Sequence, residues 1–474
     1  MSRARFLVLI VVALAMVGCA APGPHRAGGA ATPPPFRADA TSCPGLQAPS
    51  KFAIPVAYVE IDEQGSFQDR SQVERALGLI VKDEKPKYVV VFVHGWFHNA
   101  AADPEDDNIR GFKCALDTIQ RIDDNSGEEV IGIYIGWRGE SWRTPLVKYA
   151  TFWDRKNTSE EIGRGSLVEF FMRLEGAVKP RPDSENKLMV VGHSFGASVV
   201  FNSLSQILLG RFILDAEKLA SAKAAPTHAQ SKPGLVSGYG DLVILVNPAI
   251  EATRIVPFFS SLNEYTRQLD KDTNMPRELL STAQPARLVI LSSEGDWATR
   301  RTFPTARVFS TLLEYYQDWT LPTPYAAQIP MQERRLDWQT MGNVTELQTH
   351  EPLRRTAESP WDGKCPPADR EWLSQAIDER KKDQRQKGEL ATGAGWSRTF
   401  DGTAIALKHR GVTVPTNPLW IMAVDTRLIP DHNGIANETL LCFFNALLGD
   451  PKKVKEEGEK QEQRLQEKRQ QRGR

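Results

Sequence analysis

The feature that most constrains this chain is a recurring short run of unbroken apolar residues. Lys87–Val93 reads KYVVVFV, and comparable runs recur at Val130–Ile135, Leu188–Val191, Leu242–Val246, Leu288–Leu291 and Leu419–Val424. A strand with one wet face alternates apolar and polar side chains, whereas an unbroken run has both faces covered. Helical patterns separate several of these runs. Asn108–Ile122 sets Ile109, Phe112, Leu116, Ile119 and Ile122 on one stripe. Thr158–Glu161 reads as a capping box leading into Ile162, Phe170 and Leu174. Buried strands alternating with amphipathic helices predict an α/β fold with a mainly parallel sheet flanked by helices. Val56–Ile61 is a candidate early strand, and no fixed-period repeat stands out.

Charge narrows the partners. The 474 residues hold 59 Lys+Arg against 59 Asp+Glu, so no global basic field exists to attract nucleic acid. With 41% hydrophobic and 25% charged residues, the chain has the composition of a globular protein that buries a large core.

The N-terminus reads as an address. Arg3 and Arg5 precede an apolar run, Phe6–Val17, too short to span a bilayer as a helix but suited to a secretory signal. Met16-Val17-Gly18-Cys19 resembles the lipobox of bacterial lipoproteins, although Leu is commoner than Met three places before the Cys. The resemblance implies that residues 1–18 are a signal peptide, removed before an acylated Cys19. The expected location is the bacterial cell envelope, with Ala20 favouring the periplasmic face of the outer membrane. Residues 19–50, small and Pro/Gly-rich in their first part, are expected to form a flexible tether. The folded body then spans 51–449, and 450–474 is a charged, solvated tail. Cys43, Cys114, Cys365 and Cys442 allow three disulfide pairings, with buried free thiols an alternative at Cys114 and Cys442.

The run Leu188–Val191 leads into Gly192-His193-Ser194-Phe195-Gly196, followed by the apolar helical pattern Val199, Val200, Leu204, Ile207 and Leu208. G-x-S-x-G between a strand and a helix reads as a nucleophile elbow, where the turn is tight and glycines let neighbouring elements approach closely; the alternative is a tight turn whose Ser is only a small residue opening the helix. The serine oxygen then stands at a helix N-terminus, where developing negative charge is favoured. Across roughly Phe52 to Leu448 the chain resembles the α/β-hydrolase superfamily, in particular its lipase- and esterase-like members. The resemblance implies a Ser–acid–His triad in that chain order. It also implies an oxyanion hole formed by the Trp96 amide, in the His94-Gly95-Trp96 turn after a strand, and the Phe195 amide.

A serine hydroxyl needs a positioned base. His432 follows the last predicted strand in a loop marked by Pro430 and Asn433-Gly434 and precedes an apolar helix at Thr439–Leu448. It is the expected base, with His350 and His409 as rivals. His94 is expected to order its turn, and His193 to point away from Ser194. Asp296, behind Leu288–Leu291 and the Gly295 turn, is the expected acid, with Glu294, Asp425 and Asp431 as rivals. Two insertions are expected. Residues 210–239 are rich in small residues. Residues 316–415 carry tryptophans and prolines, suggesting a cap of irregular loops with a helix at Ala368–Lys387; its aromatics either bind acyl chains or pack the insertion.

The expected activity is hydrolysis of carboxylic esters through an acyl-enzyme on Ser194, without metal or organic cofactor. The substrate would be a small-molecule or lipid ester, and the membrane would be met through Cys19. A non-catalytic envelope scaffold is the rival from another class, and amidase, thioesterase, peptidase or acyltransferase chemistry would use the same groups.

Overall fold

The computed structural model describes residues 23–26, 34–44, 46–101, 106–123, 127–139, 152–181, 184–224, 235–266, 280–282, 284–311, 313–325, 328–355, 371–400, 405–435 and 437–448. In chain order the elements are β1 (Val56–Glu60), α1 (Arg70–Ile80), β2 (Lys87–Val93), α2 (Asp107–Asp123), β3 (Glu129–Gly136), α3 (Phe152–Arg164), α4 (Leu167–Val178), β4 (Lys187–His193), α5 (Phe195–Ala224), β5 (Leu242–Val246), α6 (Val256–Thr266), β6 (Leu288–Ser293) and α7 (Phe303–Ser310). There follow β7 (Asp318–Pro322), β8 (Gln328–Gln332), α8 (Glu333–Trp338), β9 (Arg354–Arg355), α9 (Glu371–Gln386), β10 (Ser397–Phe400), β11 (Ile405–Lys408), β12 (Leu419–Val424) and α10 (Glu438–Leu448).

The unbroken apolar runs become one seven-stranded sheet in the order β1-β3-β2-β4-β5-β6-β12, with every pairing parallel. Period-two geometry divides each run between two cores. Val89, Val91 and Val93 join the cluster beneath α1, α3, α4, α5 and α6, while Tyr88, Val90 and Phe92 join the one beneath α2, α9 and α10. Full burial of one such side chain contributes about 1.5–3 kcal/mol, so both faces must be covered for the run to be stable. The α/β architecture is thus observed, including the early strand β1. All seven strands point their carboxyl ends to one edge, where the loops after β2, β4, β5, β6 and β12 gather.

Several local expectations change. Thr158 does not cap a helix; it lies inside α3, which begins at Phe152. The break falls at Gly165 instead, because Gly65 packs so closely that a Cβ there would sit 2.3 Å from the Gly65 oxygen. The Gly65 carbonyl also accepts the Ser166 N–H at 2.7 Å, which starts α4 afresh.

The first half of the 210–239 segment continues α5 to Ala224. Within 316–415 the described residues include regular elements, namely the β7–β8 hairpin, α8, α9 and a small antiparallel sheet β10-β11-β9, joined by turns. Residues 349–353 line the open side of β12 through Thr349 N–H to Ile421 O (2.9 Å) and Leu353 N–H to Ala423 O (2.8 Å). Trp372, Trp396, Trp420, Phe400, His350 and His409 pack there edge-to-face and stacked. These aromatics therefore pack the insertion and extend the core beside β12. The expected helix is found as α9, and Trp361 lies outside the described residues.

The described part of the expected tether is fastened to the body. Phe36 and Ile54 exchange backbone hydrogen bonds of 2.8 Å, and Cys43 is disulfide-bonded to Cys114 on α2. Cys442 is disulfide-bonded as well, so neither Cys114 nor Cys442 is the free thiol that the alternative allowed. Cys19, the signal segment and the tail 450–474 lie outside the described residues.

Candidate functional site

Ser194 sits between β4 and α5 with φ 57°, in the left-handed region that costs a non-glycine residue strain. The flanking glycines make this turn possible. A Cβ on Gly196 would lie 2.1 Å from the Val93 oxygen, and one on Gly192 would lie 2.7 Å from the Ala197 Cα. Gly95 does the same from the opposing turn, where a Cβ would come within 2.9 Å of the Ser194 Cβ. The two turns expected to donate oxyanion amides therefore stand beside the serine, and the Trp96 and Phe195 rings meet at 5.9 Å.

The expected base and acid converge on Ser194 from loops far along the chain. His432 Nε2 is 2.8 Å from Ser194 Oγ, and His432 Nδ1 is 2.9 Å from Asp296 Oδ2. The imidazole keeps 24% of its side-chain surface exposed, while Asp296 is fully buried. Burial alone would raise the Asp296 pKa. The hydrogen bond and charge of His432, with bonds from Thr299, outweigh it and hold the carboxyl below its ordinary value. Asp296 Oδ1 accepts the Ala298 amide at 2.8 Å, and Oδ2 accepts the Thr299 hydroxyl at 2.6 Å. Asn343 Nδ2 in turn approaches Thr299 Oγ1 at 3.3 Å. An acid so held accepts Nδ1–H, leaving Nε2 free to take the serine proton.

The rivals are engaged elsewhere. Asp425 is paired with Arg427 at 2.8 Å, Asp431 accepts its own turn amides Asn433 N–H and Gly434 N–H, and Glu294 lies 3.8 Å from Arg354. His350 and His409 are buried among tryptophans. Burial drives His409 down to about 3, and burial with the neighbouring His409 drives His350 well below the ordinary histidine range.

His94 orders its turn: Nδ1 donates to Gly95 O at 2.9 Å, Nε2 accepts Trp137 N–H at 3.0 Å, and its ring stacks on Trp137. Burial, then nearby His98, pushes it down to about 3, so it is neutral at ordinary pH.

His193 holds a task that sequence reasoning missed. Its Nε2 donates to the His432 carbonyl oxygen at 2.7 Å, gripping the main chain at His432. Burial, then the adjacent His432, pushes His193 to about 3, which keeps it neutral. Asn247, after β5 at φ 47°, donates to the same oxygen at 2.9 Å and accepts Ser293 N–H at 2.8 Å. Ser293 Oγ donates to Ile429 O at 2.5 Å and accepts Gly295 N–H at 3.0 Å, tying the acid loop to the His432 loop. The only sequence signal for this clamp is that each polar residue ends a buried strand.

His98, at the rim, lies 3.4 Å from Asp106. Among the described residues no group of three or more His, Cys, Asp or Glu side chains is placed to hold a metal ion. The arrangement can polarise a hydroxyl, pass its proton to an imidazole and stabilise the imidazolium with a buried carboxylate. Compared with protein-family models, curated proteins and solved structures, the chain finds no match.

Proposed function

We propose that this protein is a serine hydrolase of carboxylic esters, built on the α/β-hydrolase plan and tethered to the bacterial cell envelope. The observation that carries the reading is the unbroken chain from Ser194 Oγ through His432 to buried Asp296, at 2.8 and 2.9 Å. Ser194 Oγ attacks the ester carbonyl carbon while His432 Nε2 takes its proton. The Trp96 and Phe195 amides hold the resulting oxyanion. The tetrahedral intermediate collapses, His432 protonates the leaving alcohol, and an acyl-Ser194 remains. Water then attacks the acyl group as His432 takes its proton, releasing the carboxylic acid and restoring Ser194. Asp296 accepts Nδ1–H throughout and offsets the imidazolium charge.

The envelope tether is supported by Arg3, Arg5, the Phe6–Val17 run and the Gly18-Cys19 junction. Hydrolysis of short-chain p-nitrophenyl esters by the purified protein, compared with Ser194→Ala, tests the chemistry. Turnover by the wild type and its loss in Ser194→Ala are expected. Equal turnover by both would remove Ser194 from the role.

A further inference from the structure

The N-terminal strap is clasped at the same sheet edge as the site. Glu60, only 2% exposed, ends β1 and accepts two consecutive strap amides, His25 N–H and Arg26 N–H, each at 2.8 Å. Gln72 Nε2 steadies that carboxylate at 3.0 Å. The Arg26 guanidinium lies over the Tyr58 ring at 4.2 Å and donates to Ala100 O (2.7 Å) and Ala101 O (3.1 Å), in the loop that continues the His94-Gly95-Trp96 turn.

Strand register fixes where this clasp is. Glu60 pairs with Gly136, and Ile135 pairs with Val93, which pairs with Gly192; Glu60 therefore shares a row with His193, next to Ser194. Three strand spacings separate β1 from β4, about 14 Å.

His25 follows Cys19 by six residues. Six residues span at most about 21 Å when fully extended. An acylated Cys19 is thus leashed close to the carboxyl edge of the sheet, whatever path those residues take. On that edge Trp297, one residue past Asp296, is 67% exposed, an amphipathic ring of the kind favoured at a membrane interface.

We infer that the Glu60–His25–Arg26 clasp turns the carboxyl edge of the sheet toward the membrane holding Cys19, so that the Ser194 site takes esters presented in that same bilayer. This rests on the hydrolase reading of Ser194 and on acylation of Cys19. The surface is met in cis, and a long free tether would not impose it.

The test uses the full acylated protein in vesicles of phosphatidylethanolamine and phosphatidylglycerol carrying a fluorogenic ester lipid. One variant inserts about 60 Gly/Ser residues after Pro22, a leash of about 45 Å root-mean-square span. A second, Arg26→Glu, opens the clasp. Wild-type protein is expected to cleave the ester faster in its own vesicles than in separate ones, and the long leash to lower the own-vesicle rate about fivefold or more. Arg26→Glu should lower it in the same direction, with hydrolysis of a soluble short ester unchanged in both. An unchanged own-vesicle rate with the long leash overturns the inference. Intact-mass measurement showing no acyl group on Cys19 overturns it while leaving the hydrolase reading in place. Failure of the wild type to cleave even the soluble ester overturns both.

Discussion

His432 and the pair His350/His409 are the same side chain in two settings. His432 is partly exposed, with a hydroxyl on one ring nitrogen and a buried carboxylate on the other. His350 and His409 are sealed among Trp372, Trp396 and Trp420, and their polar contacts are to Thr349, Thr413 and backbone amides. No carboxylate faces either ring among these contacts. A histidine becomes a usable base through an acid behind it, a proton source ahead of it and access for substrate; burial without an acid only fixes it as neutral packing.

The sharpest way to break this contrast is to remove each ring in turn. His432→Ala is expected to lower kcat for soluble esters by about 10⁴-fold or more, with the unfolding midpoint nearly unchanged. His350→Ala should leave kcat within about twofold and instead cost about 2–4 kcal/mol of stability by opening a cavity, read from urea unfolding. A large loss of kcat in His350→Ala with normal folding would erase the distinction. Asp296→Asn should lower kcat by about 10³–10⁴-fold, because an amide cannot offset an imidazolium.

The buried histidines also predict a pH dependence of stability. His94, His193 and His409 are depressed to about 3, and His350 lies well below its usual range. Below the unfolded value of about 6.5 the unfolded chain binds protons that these native rings refuse. Stability is therefore fully present above about pH 6.5 and falls as the pH drops from there toward about 3, by about 1.4 kcal/mol per pH unit for each ring. Urea unfolding at a series of pH values checks this, and His350→Leu should make the slope shallower. A slope unchanged in His350→Leu would mean that ring does not stay neutral when folded. The smallest effect is expected at Thr299→Val, which removes the 2.6 Å bond to Asp296 and should lower kcat by about tenfold or less with KM unchanged.

The contrast also marks how far the sequence could be read. Unbroken apolar runs identified the strands of the main sheet, since covering both faces of a strand leaves a composition signature. Gly192-His193-Ser194-Phe195-Gly196 was legible because glycine is required where backbones come within 2.1–2.7 Å of a missing Cβ. Asp296 and His432 could be singled out as candidates because the resemblance to α/β-hydrolases implies an acid and then a histidine after the later strands. The clamp of His193, Asn247 and Ser293 could not, because each acts through a carbonyl or amide on a remote loop and such pairing leaves no spacing in the chain. The capping pattern at Thr158 misleads because it falls inside a helix already begun at Phe152, and the break lies at the Gly65–Gly165 contact, which only the fold creates. The described parts of the strap depart from the freedom its small residues suggest, because a buried carboxylate on β1 holds His25 and Arg26 and a disulfide to α2 holds Cys43.

The central claim, that His432 and Asp296 activate Ser194, is tested most directly by labelling with a fluorophosphonate followed by peptide mapping. One adduct on Ser194 in the wild type is expected, formed far more slowly in His432→Ala and absent in Ser194→Ala. An adduct on another residue, or a labelling rate indifferent to His432→Ala, would contradict it.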